Sequence, residues 1–185
     1  KEFYTYGDYL AWPEEERWEL IDGIPYNMTP APSRVHQACS RELITQFNLY
    51  LTGKTCKVYA APFDVRLPKG NEEDAAIDTV VQPDLVIVCD PDKLDERGCK
   101  GGPDLVVEIL SAYTATKDMK VKRQLYERIG VKEYWLVDPG NKVVQIYKQD
   151  DYGKYGQPEI YGEQDQVKTT LFPDLVIDLT MVFAE

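Results

Sequence analysis

The chain has 185 residues, 43% hydrophobic and 29% charged, which is enough to bury a sizeable core and too apolar for a disordered segment. No apolar run approaches the roughly 18 residues of a membrane span, and no signal-peptide pattern appears. The net charge of −11, from 21 basic and 32 acidic residues, has the wrong sign for a protein that lives permanently on nucleic acid.

In chain order, "ERWELIDGIPYNM" (16–28) predicts two short strands around Asp22-Gly23, a strong hairpin turn. The Pro-rich "TPAPS" follows. Ser33 then serves as N-cap for a helix over roughly 34–52 that stops at Gly53. "CKVYAAPFDVRL" (56–67) reads as one or two strands, and 68–79 as a polar, acidic loop. "PDLVIVC" (83–89) and "PDLVVEIL" (103–110) read as buried strands joined by a Gly-rich turn at 98–102. A helix over roughly 115–129 ends at Gly130, and "EYWLVD" with "KVVQIYK" forms a hairpin about Pro139-Gly140-Asn141. The tyrosine-rich stretch 150–163 is a loop or irregular hairpin, and a third "PDLV" stands at 173–176. These elements predict one domain over residues 1–185: a mixed α/β layer structure with a central sheet. Cys39, Cys56, Cys89 and Cys99 lack the C-x-x-C spacing, so free thiols in a reducing cytosol are expected.

Side chains alternate along a strand, so Asp104, Val106, Glu108 and Leu110 share one face of "PDLVVEIL". Both faces are apolar, which makes the strand central and Glu108 a mid-strand acid. Such a carboxylate is protonated, paired or bound to a cation. Antiparallel pairing of the first two copies can bring Asp84 to Glu108. A solvated edge explains Asp178, and a strand-entry role explains Asp104 and Asp174. At 100° per residue, Met119, Val121, Leu125, Tyr126 and Ile129 form the inner half of the second helix. Lys117, Lys120, Arg123, Gln124, Glu127 and Arg128 form the outer half. Asp118 and Lys122 fall inside the apolar arc, where they can pair with each other at i, i+4 or serve a site. His36 lies mid-arc on the first helix, as either a satisfied core residue or a site residue, and Glu19 is ambiguous by pattern.

Charge is segregated: residues 112–132 hold six basic and two acidic side chains, a net +4, which leaves −15 elsewhere. Two carboxylates with backbone carbonyls and water suit Mg²⁺ or Mn²⁺, and no His or Cys cluster favours zinc. A nearby ammonium can stabilise the added charge of a pentavalent phosphorus. The set fits phosphodiester hydrolysis. No phosphate loop, dinucleotide fingerprint or serine-nucleophile elbow is present.

"WELIDG", "APSRVHQ", "APFDVRL", "VVQPDLVIV", "GPDLVVEILS" and "VKEYWLVDP" run in the order of the Uma-two-like restriction endonuclease family, which this chain resembles over roughly residues 5–148. The resemblance implies membership of the PD-(D/E)XK nuclease superfamily, with a restriction-endonuclease-like core of a helix, three strands, a helix and a strand. An N-terminal β-hairpin and extra C-terminal strands would be added to that core. It further implies that Asp84 is the "PD" acid and Glu108 the acid of the (D/E)XK element. Position 110 is Leu rather than Lys, so Lys122 from the following helix takes that place. Glu19 looks like an accessory residue.

The expected function is a Mg²⁺-dependent (or Mn²⁺-dependent) DNA endonuclease of the cytoplasm, with no membrane partner; a homodimer is the assembly considered for cutting both strands. Asp84, Glu108 and the Ile109 carbonyl would hold the metal. Lys122 would position or activate water, and Asp118, His36 and Glu19 would form the surroundings. DNA would meet the basic segment 112–132. The alternatives are a catalytically inactive nuclease-fold binding or regulatory module, and a metal-dependent hydrolase of another phosphate ester.

Overall fold

The short apolar runs become strands and the two periodic segments become helices, as their patterns require. The computed structural model describes residues 2–13, 15–28 and 30–185. Its strands, in chain order, are β1 (Trp18–Ile21), β2 (Ile24–Asn27), β3 (Lys57–Ala60), β4 (Val65–Arg66), β5 (Val80–Val81), β6 (Leu85–Val88) and β7 (Leu94–Asp95). They continue with β8 (Gly98–Lys100), β9 (Leu105–Ile109), β10 (Glu133–Asp138), β11 (Val143–Lys148), β12 (Glu159–Gly162), β13 (Gln166–Lys168) and β14 (Val176–Asp178). The α-helices are α1 (Tyr6–Tyr9), α2 (Arg34–Leu51), α3 (Arg123–Arg128) and α4 (Leu179–Val182). A π-helical segment, Lys117–Lys122, leads directly into α3.

The central mixed sheet has the order β12-β11-β10-β9-β6-β3. Only the β9–β10 pair is parallel, because the helical crossover between them returns the chain to the same end. On one face α2 packs Cys39, Leu43, Phe47 and Leu51 against Leu105, Val107, Ile109 and Trp135. On the other, Leu125 and Tyr126 of α3 meet Val86, Val106, Tyr134 and Leu136. The chain order α2, β3, β6, β9, α3, β10 is the helix, three strands, helix, strand core that the sequence implied. Among the described residues no helix is long and apolar enough to cross a membrane.

The N-terminal hairpin is present, with Asp22 and Gly23 both at positive φ (49° and 77°), the backbone of a tight hairpin turn. It forms the edge of a second sheet of order β2-β1-β5-β4-β8-β7. The link between the first two "PDLV" strands is therefore more than a glycine turn. Its residues supply β7 and β8, and Gly98 (φ 113°) turns where an added Cβ would strike the Asp64 carbonyl. The third copy ends in β14, where Asp178 caps α4 by accepting from the Thr180 N–H at 2.9 Å. Asp104 accepts from the Cys89 N–H at 2.8 Å and pairs with Lys132. Both acids are structural.

The cysteine expectation is corrected. Cys39 and Cys99 are free and buried, but Cys56 and Cys89 form a disulfide. The β3–β6 register pairs Lys57 with Val88, and one step further it sets Cys56 opposite Cys89. Only strand pairing brings these two residues, 33 positions apart, together.

Candidate active site

The β6–β9 register pairs Leu85 with Val107, so one step beyond it Asp84 faces Glu108 at the strand ends. Asp84, Glu108, Ile109, His36, Asp118 and Lys122 all line one cavity of about 580 Å³. Glu19, from the second sheet, lies behind its wall and is fully buried. Four elements of distant sequence thus converge: the entry to β6, the end of β9, the first turn of α2, and the π-segment.

Each predicted residue has definite partners. Asp84 Oδ2 accepts from the Ile109 N–H at 2.7 Å, and Asp84 Oδ1 lies 3.2 Å from His36 Nε2. Ser33 caps α2 at the His36 N–H, while the ring also meets Gln37 at 3.1 Å and the Ile109 backbone. Burial alone would lower the pKa of His36, yet its contacts with Asp84 raise it. Lys122, at 1% exposure, places Nζ 2.6 Å from Glu19 Oε1, 2.7 Å from Glu108 Oε1 and 3.8 Å from Asp118 Oδ1. Tyr126 donates to Glu108 Oε1 at 3.0 Å.

These contacts set the charges. Desolvation opposes the charge of Lys122, but Glu108, Glu19 and Asp118 hold its pKa well above the usual lysine value. These acids favour the ammonium form. Burial would raise Glu19, but Lys122 and then Lys117 bring it down to about 2. Burial pushes Glu108 well above the ordinary glutamate value, and the charges of Asp118, Asp84 and Glu19 add to that. Asp118 is likewise raised by burial. Four carboxyl groups face two lysines and a histidine, and burial disfavours the charged form of two of them, Glu108 and Asp118.

Lys117 is the main residue that pattern reading missed. It was assigned to the outer half of an α-helical wheel, yet its Nζ lies 2.6 Å from Glu19 Oε2. In an α-helix, Lys117 and Lys122 would point about 140° apart. The π-segment's i→i+5 bonding stacks residues five apart, so both ammoniums reach one carboxylate. The same change turns Met119 outward, to 42% exposure, although the wheel put it inside. No sequence signal marks a π-turn. Gln82 was missed too: its backbone N–H donates to Glu19 Oε1 at 2.9 Å.

The basic segment is also corrected. Lys117 and Lys122 point inward to acids, Arg128 pairs with Asp22, Lys132 pairs with Asp104, and Arg123 lies over the Tyr147 ring. Four of its six cations are paired with acids, two inside the protein and two, Arg128 and Lys132, at the surface.

Carboxylate and backbone carbonyl oxygens are hard donors of the kind that suit a divalent cation of the magnesium class. Asp118 Oδ1 supports that fit, because it is buried without a hydrogen-bond partner among the described residues. No group of three acidic, histidine or cysteine side chains is preassembled as a metal cage among the described residues. A cation at Asp84 and Ile109 would need His36 to release them.

A search of the curated proteins finds no match. Among solved structures, the chain is similar to a crystal structure described as a putative nuclease belonging to DUF820 from Anabaena variabilis ATCC 29413. The TM-score is 0.76, with 19% identity over 97% of each chain, a likeness of fold. The sequence also matches the model of the Uma2 family, described as putative restriction endonuclease, over residues 6–181. The chain belongs to that family.

Proposed function

We propose that this protein is a magnesium-dependent endonuclease that hydrolyses phosphodiester bonds of DNA. Membership of the Uma2 family supports a nuclease. The observation that carries the finer reading is the meeting of Asp84, Glu108 and a buried Lys122 at one cavity. Asp84, Glu108 and the Ile109 carbonyl would hold the ion, assisted by Asp118. When bound, magnesium supplies positive charge beside the scissile phosphate.

The chain's own residues supply the rest. Lys122 keeps its proton, so it serves as a fixed positive charge that positions water and stabilises the phosphorane, not as a base. Glu19 holds Lys122 and Lys117 in place from behind. Tyr126 fixes the Glu108 carboxyl, and His36 orients Asp84 from the N-terminus of α2. The site lies on the ends of strands and helices, which keeps these groups rigid. Two copies acting on opposite strands would cut a duplex.

One observation favours a second reading, a nuclease-fold module without catalysis: both oxygens of Asp84 already have partners. Incubation of plasmid, linear DNA and RNA with Mg²⁺, Mn²⁺ or EDTA separates the two. The nuclease reading expects metal-dependent DNA cleavage that Asp84→Asn and Glu108→Gln abolish. Metal binding without cleavage of any nucleic acid would overturn it in favour of the module.

A further inference from the structure

Arg17 stands just before β1 and lines the same cavity as Asp84 and Glu108. Its Nε and Nη2 both donate to Gln82 Oε1, at 3.3 and 3.0 Å. That partner is neutral, so the contact orients the guanidinium without cancelling its charge. Among the described residues, the cavity's other basic side chains, Lys117, Lys122 and His36, each rest on carboxylates. Gln82 is itself fixed: its Nε2 donates to Tyr9 Oη at 3.0 Å and to Asp64 Oδ1 at 2.8 Å. Its backbone N–H anchors Glu19, which holds Lys122. Gln82 also lines the cavity two residues before Asp84. One residue therefore ties a guanidinium on the cavity wall to both Asp84 and the buried lysine.

We propose that Arg17 is a substrate-binding residue that grips a non-bridging phosphate oxygen pair of the phosphodiester next to the one cleaved, with Gln82 as its positioning residue. This rests on the nuclease reading above. A planar guanidinium held along one edge presents its remaining N–H groups in the fork that phosphate accepts. In a protein of net charge −11, such a fixed cation beside the acids gives the polyanion a local foothold. Asp84 and Glu108 alone would repel it.

The test uses the full chain and fluorescent oligodeoxynucleotides with Ca²⁺ in place of Mg²⁺, read by anisotropy. Single linkages are replaced in turn by uncharged methylphosphonate. Wild type should lose roughly tenfold in affinity at one linkage. Arg17→Ala should bind roughly tenfold more weakly, lose sensitivity at that linkage only, and lower the salt-dependence slope by about 1. Arg17→Lys, which keeps charge but loses the fork, should retain part of the linkage effect and serves if the alanine variant fails to fold.

Unchanged affinity in either variant, or an unchanged linkage profile, overturns the assignment and leaves the nuclease reading intact. Arg17-dependent linkage sensitivity in a protein that cleaves nothing in Mg²⁺ or Mn²⁺ supports the phosphate grip and overturns the nuclease reading. Failure of wild type to bind any oligonucleotide at low salt overturns both.

Discussion

Replacing Lys122 by Met keeps an apolar stem but removes the ammonium at the centre of the buried cluster. The carboxylate that this charge, together with Lys117, keeps ionised is Glu19, which sits near 2 instead of 4.5. That difference corresponds to about 3 kcal/mol of stability at neutral pH. Removing one partner from a buried ion pair costs about 3–5 kcal/mol, so the two estimates agree.

The sign with pH follows. In the wild type, Glu19's stabilisation is present above its unfolded value of about 4.5 and is lost as pH falls towards 2. In Lys122→Met only Lys117 still opposes burial at Glu19, so Glu19 loses most of that depression and its buried charge is stabilised less as pH rises through about 4.5. The mutant's deficit should grow with pH, at up to about 1.4 kcal/mol per unit for one proton. Urea unfolding of both proteins at pH 4 and pH 7 measures this. Adding Glu19→Gln to the mutant should recover stability at pH 7, because it removes the stranded charge. A deficit below about 1 kcal/mol at pH 7, or one equal at both pH values, would refute a buried charge cluster held by Lys122. Cleavage should be abolished in either mutant.

Titration calorimetry with Mn²⁺ should show binding that strengthens as pH rises, because burial holds a proton on Glu108 that the ion must displace. Asp84→Asn and Glu108→Gln should abolish that binding, and a pH-independent affinity would contradict it. Thiol titration should find two reactive cysteines in the unfolded, unreduced chain and four after reduction; reduction should cost about 4 kcal/mol for a closed loop of this length, read as a lower melting temperature. Ser33→Ala removes the cap at the His36 N–H and should cost about 1 kcal/mol, lowering the melting temperature by about 2–4 °C. Loss of any cleavage activity beyond that shift would show that the cap also places the His36 ring against Asp84.

Much of the frame was legible because it rests on local rules. Apolar runs closed by Pro, Asp and Gly mark β6, β9 and β10, and Asp22-Gly23 marks the first hairpin. Ser33 marks the start of α2. Alternation along "PDLVVEIL" assigned Glu108 to the face that carries Val106, and the wheel turned Lys122 inward. Those inferences need only periods of 2 and 3.6.

What the sequence left undecided depends on geometry that no local pattern carries. The second sheet reaches into the predicted Gly-rich turn at 98–102 because Gly98–Lys100 find a parallel partner in β4. Cys56 meets Cys89 only through the β3–β6 register. Lys117 turns inward because a π-turn changes the period where an α-helix was assumed, so an expected exposed cation becomes a partner of Glu19. The +4 of residues 112–132 suggested a basic surface, but charge counts say nothing of direction, and tertiary packing pairs most of those cations with acids from other elements. Gln82 and Arg17 carry no motif of their own. Their place beside Asp84 comes from the junction of two sheets, where residues far apart in the chain share one cavity wall.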